Sequence, residues 1–112
     1  MLTIEMFKNE ILDLVSDIAD LNYDKIDKEG KFVIVNKDDF IRVINEYGCR
    51  IDYITDDKLK LAECYFVKNI NRLDIYLPLW TLEEGRSDLT LSLSCRKENL
   101  VSVVEIIDLG VL

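Results

Sequence analysis

Two runs of strict alternation limit the folds open to this chain more than any other feature in it. Leu73, Ile75, Leu77 and Leu79 alternate with Arg72, Asp74, Tyr76 and Pro78. Shortly afterwards Leu89, Leu91, Leu93 and Cys95 alternate with Thr90, Ser92, Ser94 and Arg96. A period of two places each apolar set on one face of an extended strand. The pattern therefore predicts two half-buried antiparallel strands, over 72–79 and 89–96, joined by the connector 80–88. That connector holds the only Trp, a Gly and four charges, and the only Pro lies just before it.

Helices are predicted upstream. Ile4, Phe7, Ile11, Leu14, Val15 and Ile18 recur at helical spacing, which predicts an amphipathic helix over 3–21 with Thr3 as its N-cap. A second helix is predicted over 37–47. Asn36 offers the cap with Asp39 three positions on, Phe40, Ile41, Val43, Ile44 and Tyr47 supply its apolar residues, and Gly48 stops it. Residues 22–31 read as a polar turn with Gly30 as the reversal, and 32–35 as a short strand or a buried connector. Cys49–Asp57 is expected to cross the sheet, anchored by Ile51, Tyr53 or Ile54, and to end in a turn at 55–57. Leu59–Val67 is strand-like without a clean phase. Leu100–Ile107 is Val-rich and apolar on both faces, which places it in the sheet interior.

With 112 residues and no repeat or linker, the chain suits one domain. The predicted class is α+β, with two N-terminal helices packed on one face of a curved antiparallel meander sheet of three to four strands. Such a layout is similar to cystatin or nuclear transport factor 2. The opposite face then carries Arg72, Asp74, Tyr76, Thr90, Ser92, Ser94 and Arg96.

Charge and composition narrow the function. Net charge is −8, which argues against nucleic-acid binding because phosphate contacts need a basic face. The acidity is lopsided: residues 1–57 carry 14 acids against 7 bases, residues 58–112 carry 8 against 7. Asp13, Asp17, Asp20 and Asp24 fall on one helical stripe if the first helix persists that far. That stripe is either a solvated face or a surface for a basic partner. No histidine is present, which removes the commonest general base and metal ligand. Cys49, Cys64 and Cys95 lack any Cys-x-x-Cys spacing and read as reduced, packed thiols of a cytoplasmic protein. Neither an export signal nor a membrane-spanning run is apparent, and no phosphate-binding glycine loop occurs. No catalytic set, metal site or cofactor is predicted.

The connector admits two readings. Glu83, Glu84, Arg86 and Asp88 could grip a polar ligand, or Gly85 could supply a left-handed turn with Arg86 bridging Asp88 or Glu83 and Ser87 or Asp88 capping amides. The structural reading is favoured, with Trp80 as a plug at the sheet edge.

The run Leu79-Trp80-Thr81-x-Glu83-Glu84-Gly85-Arg86-Ser87-Asp88-Leu89-Thr90-Leu91 resembles the signature of a small bacterial domain family, otherwise uncharacterised. The Tyr47-Gly48 helix stop fits that family too. Proteins of this kind serve as immunity partners in toxin systems, including contact-dependent growth inhibition. The resemblance therefore implies an immunity protein that binds and neutralises a cognate toxin. A basic nuclease, blocked by acidic side chains, is the expected target. Asp13, Asp17, Asp20 and Asp24 are the expected partner-binding residues, with Glu83 and Glu84 as a second patch. Trp80, Gly85, Arg86, Ser87 and Asp88 are the expected structural motif. The alternative is a small-ligand-binding or enzymatic domain, similar to nuclear transport factor 2, that uses Arg72, Asp74 and Arg96 on the polar sheet face.

Overall fold

A computed structural model describes residues 1–111. A single 3-10 turn at Ile4–Phe7 leads into α1 (Lys8–Ala19), followed by α2 (Tyr23–Lys28), α3 (Lys37–Tyr47) and the short α4 (Asp56–Leu59). Four strands complete the chain: β1 (Glu63–Val67), β2 (Arg72–Thr81), β3 (Gly85–Glu98) and β4 (Val101–Val111). They form one open, curved antiparallel sheet in the meander order β1-β2-β3-β4. The α+β class and the placement of the helices ahead of the sheet match expectation.

The alternation in β2 and β3 does what period two requires. Leu73, Ile75, Leu77 and Leu79 are buried, as are Leu89, Leu91, Leu93 and Cys95. Against them pack Phe7, Ile11, Leu14, Val15 and Ile18 from the first helical stretch, Ile26 from α2, and Phe40 and Ile44 from α3. Burying a side chain of this size is worth about 1.5–3 kcal/mol, so this one face carries most of the apolar driving force. The opposite face is left uncovered by helix.

Helix α3 is legible to the residue. The Asn36 side chain accepts from the Asp39 amide at 2.8 Å, and Gly48 takes the left-handed position at φ 88°. Helix α1 departs from expectation at both ends: it begins at Lys8 after the 3-10 turn, with no side-chain cap from Thr3, and it stops at Ala19. Leu21 sits at φ 61°; its amide donates to Ile18 O at 3.1 Å, and the Asn22 amide donates to Asp17 O at 2.8 Å. These two bonds are a Schellman closure with Leu where glycine is usual. The chain then turns into α2, so the stretch expected as a polar turn is helical from 23 to 28 before Gly30 reverses it. Residues 32–35 form no strand. Thr55–Asp57 opens into α4 instead of a simple turn.

The last strand gives a second correction. Its apolar character on both faces predicted an interior place, yet β4 lies at the edge of the sheet. The β3–β4 turn is the pair Asn99-Leu100, both with positive φ, at 49° and 69°. This is the two-residue hairpin geometry that favours Asn-Gly, and Leu100 is 95% exposed there.

Leucine in the left-handed region is strained, and neither Leu21 nor Leu100 is buried. Leu21→Gly and Leu100→Gly are each expected to raise stability by about 0.5–1 kcal/mol, after allowing for the larger entropy of the unfolded Gly chain. Urea unfolding monitored by Trp80 fluorescence checks both.

Candidate functional site

The β2–β3 hairpin end concentrates the unusual geometry. Pro78 pairs with Thr90 but Trp80 pairs with Arg86, so Leu79 alone stands opposite Ser87, Asp88 and Leu89. Extra residues on one strand leave ladder groups without partners. Here the Ser87 hydroxyl supplies them: it donates to Leu79 O at 2.8 Å and accepts from the Leu89 amide at 3.1 Å. The Asp88 amide donates to the Tyr47 hydroxyl at 3.2 Å, which ties the bulge to the last turn of α3. Thr81 Oγ1 accepts from the Glu84 amide at 3.0 Å, and Gly85 adopts φ 78°.

The same hairpin end holds the crossing segment. Ile51 bridges to Thr81, the Asp52 amide donates to Trp80 O at 2.8 Å, and the Leu82 amide donates to Arg50 O at 2.9 Å. Glu83 accepts from the Arg50 amide at 3.0 Å, and that bond holds its carboxyl below the usual range. Of the three possible anchors, Ile51 is buried, Ile54 is half-buried and Tyr53 is exposed. Ser87 therefore caps amides as expected. Arg86 does not bridge to Asp88 or Glu83; its guanidinium lies 6.0 Å from the Trp80 ring centre. Trp80 is not a core plug either. It is half-exposed on the uncovered sheet face, with Lys58 Nζ 5.2 Å from the ring centre.

The acids of the expected stripe part company because α1 ends before two of them. Asp17 is buried and accepts from Lys25 Nζ at 2.7 Å, joining α1 to α2. Asp20 is the C-cap of α1 and accepts from the Tyr53 hydroxyl. Asp24 belongs to α2 and accepts from Lys37 Nζ at 2.9 Å, which links α2 to α3 and lowers the Asp24 carboxyl while raising Lys37. Asp13 is exposed and takes part in no ion pair among the described residues. Sequence reasoning missed these partners because they lie in other elements; helical spacing alone cannot reveal Lys25, Lys37 or Tyr53. Glu84 is exposed, with Cys49 Sγ 3.7 Å away.

The uncovered face holds a recess of about 180 Å³ lined by Ile34, Arg72, Asp74, Tyr76, Ser92 and Ile107, with Leu93 at its floor. Arg72 forks onto Asp74 at 2.7 and 3.0 Å, so each satisfies the other. Arg96 is outside the recess, held by Glu105 at 2.5 Å and Glu98 at 2.8 Å. Sites for drug-sized ligands are usually about 300–1,000 Å³, larger than this one.

With this geometry in view, the comparison with known families is decisive on one point. Residues 15–112 match the family model described as Domain of unknown function (DUF7668). The chain belongs to that family. Neither the curated proteins nor the solved structures contain a match to it. The family match spans α2, α3, the hairpin with its bulge and β4, and it begins inside α1. The expected membership of an uncharacterised domain family is thereby met at the level of the family.

Other chemistry is sparse. Among the described residues no three His, Cys, Asp or Glu side chains are grouped so as to hold a metal ion. All three cysteines are free thiols, and burial in the core pushes the Cys95 thiol up to about 12. No helix is long and apolar enough to cross a membrane.

Two outcomes follow from these contacts. Ser87→Ala leaves Leu79 O and the Leu89 amide unpaired in a buried setting and is expected to cost about 2–3 kcal/mol, whereas Asp88→Ala costs under about 0.5 kcal/mol. Chemical denaturation of the two variants separates them. Asp24 and Glu83 have carboxyls depressed by folding, so their contribution is present above the unfolded value, about pH 4, and fades as pH falls through the folded one. The double variant Asp24→Asn, Glu83→Gln should accordingly lose less stability between neutral and acid pH than the parent, as read by unfolding at each pH.

Proposed function

We propose that this protein is an immunity-type inhibitor that binds a cognate toxin domain, a basic nuclease, and blocks it sterically and electrostatically in the cytoplasm. The observation that carries this reading is where the fold puts its charge. The first 57 residues, with 14 acids against 7 bases, form the helical layer and the crossing segment. The remaining 55 residues hold the sheet and are nearly neutral, with 8 acids against 7 bases. Most of the net negative charge therefore belongs to the helices and the crossing segment. Complementary fields of this kind accelerate association and select partners by sign. Asp17 and Asp24 join helices within that layer and Asp20 ties the end of α1 to the crossing segment, so their carboxylates contribute field as well as structure. Asp13 and Glu84 are exposed and best placed to meet the partner directly.

The binding reading is favoured over the small-ligand reading because the recess on the sheet face is small and its charged residues are paired with each other.

The test is to sequence the neighbouring genes and co-express the protein with a toxin-bearing reading frame found there, which should restore growth. Stopped-flow association with that toxin should slow with added salt. The variant Asp13→Lys, Glu84→Lys keeps the internal ion pairs and should lower the on-rate by about tenfold at low salt. An unchanged on-rate would place the interface elsewhere, and failure to protect growth would end the inhibitor reading.

A further inference from the structure

The outward row of β3 is built from short side chains, Thr90, Ser92 and Ser94, with longer ones on the neighbouring strands. Tyr76 and Asp74 of β2 stand opposite Ser92 and Ser94, and Glu105 of β4 stands opposite Ser94. The recess of about 180 Å³ lies in the trough this leaves. Three features set it apart from an ordinary gap between surface side chains. The first is a polar group without a partner. Ser92 is only 7% exposed, yet its hydroxyl makes no hydrogen bond among the described residues. No fully enclosed side-chain oxygen lacks a partner among them, so this hydroxyl opens into the recess that Ser92 lines. The second is a bulge in β4. Ser92 pairs with Asp108 and Leu93 with Ile106, so Ile107 falls outside the ladder and lines the recess instead. The third is an apolar wall from elsewhere in the chain. The Ile106 amide donates to Lys31 O at 2.9 Å, which holds the following loop against β4. From that loop Ile34, 67% exposed, reaches the recess and leaves the core to its neighbours.

We propose that this recess binds a small neutral molecule of one ring bearing a hydroxyl, and that Ser92 is the residue that recognises the hydroxyl. Size sets the single ring. An apolar cavity of about 150 Å³ holds one benzene molecule, so a recess of this volume matches one six-membered ring and no more. Ile34, Ile107 and the ring of Tyr76 supply the apolar contact, and Tyr76 is held edge-on to Tyr65 with ring centres 5.7 Å apart. The Ser92 hydroxyl both donates and accepts, which suits another hydroxyl. Charge sets the neutrality. Arg72 and Asp74 are joined by two bonds, so the lining offers no net charge to an ion. A charged ligand would have to break that fork and leave one of its members unpaired. This site lies beyond the inhibitor reading and uses none of the residues assigned to the toxin.

The test titrates phenol into the full chain, isotopically labelled, and follows the backbone amide shifts. Saturable shifts at Tyr76, Ser92 and Ile107 are expected, with a dissociation constant of about 1 mM or below for a ligand of this size. Benzoate and benzylammonium keep the ring and add a charge of either sign, and each should bind at least about tenfold more weakly. Ser92→Ala removes the hydroxyl and should weaken phenol by about three- to tenfold. Ile34→Ser changes an exposed loop residue and should weaken phenol by about threefold with the urea midpoint unchanged, so a loss of binding there is not a loss of fold. No toxin enters the experiment, so its outcome bears on the recess alone and leaves inhibition to its own test. The proposal is overturned if phenol gives no saturable shift by about 20 mM or shifts a different surface. Equal affinity for either ion, or unchanged affinity in both variants, overturns it as well.

Discussion

The fold depends on a single hydroxyl at a place where two strands fall out of register. Ser87 bonds Leu79 and Leu89 across a bulge that would otherwise bury unpaired main-chain groups. With that bulge closed, both strands keep their apolar residues buried up to and through the shift: Leu77 and Leu79 on one strand, Leu89 and Leu91 on the other. The displaced end of the hairpin is then free to reach outward. It binds Tyr47 at the end of α3 and pairs with Arg50 and Asp52 of the crossing segment. The charged connector, for which the structural reading is favoured over a grip on a polar ligand, is where three parts of the chain are joined.

How much of this was legible depended on whether the signal was local. Asn36 and Gly48 bound α3 because capping chemistry is carried by those residues alone. The hairpin was legible from period two, although the strands run closer to the turn than the alternation suggests, because the bulge breaks the phase at Ser87–Leu89. The end of α1 was hidden because Leu21 occupies a position whose usual marker is glycine. Helix α2 was hidden because it is short and polar, with only Ile26 fully buried. The place of β4 misled for a different reason: apolar residues on both faces signal burial by something, and sequence does not say by what.

The acidic residues illustrate the same limit. Read along a helix, Asp13, Asp17, Asp20 and Asp24 are four like charges at unfavourable spacing. Folded, three of them meet donors from other elements: Lys25, Tyr53 and Lys37. Exposed pairs of this kind contribute little each, about 0–1 kcal/mol. Asp17 differs in that its own side chain is nearly buried, although the Lys25 it meets is half exposed. Within the helical layer the carboxylates thus add to a placement already made by apolar contact, such as Ile26 in the shared core and Tyr23 of α2 edge-on to Phe40 of α3.

The separation of an acidic helical layer from a near-neutral sheet has a mechanical consequence. Because 14 acids and 7 bases sit in residues 1–57 and 8 acids and 7 bases in residues 58–112, the centres of negative and positive charge do not coincide, and the molecule has an electric dipole moment. In the field of a basic surface it experiences a torque before any atoms touch. Rotation of the free protein would then be biased, with α1–α3 leading and the Trp80 face trailing.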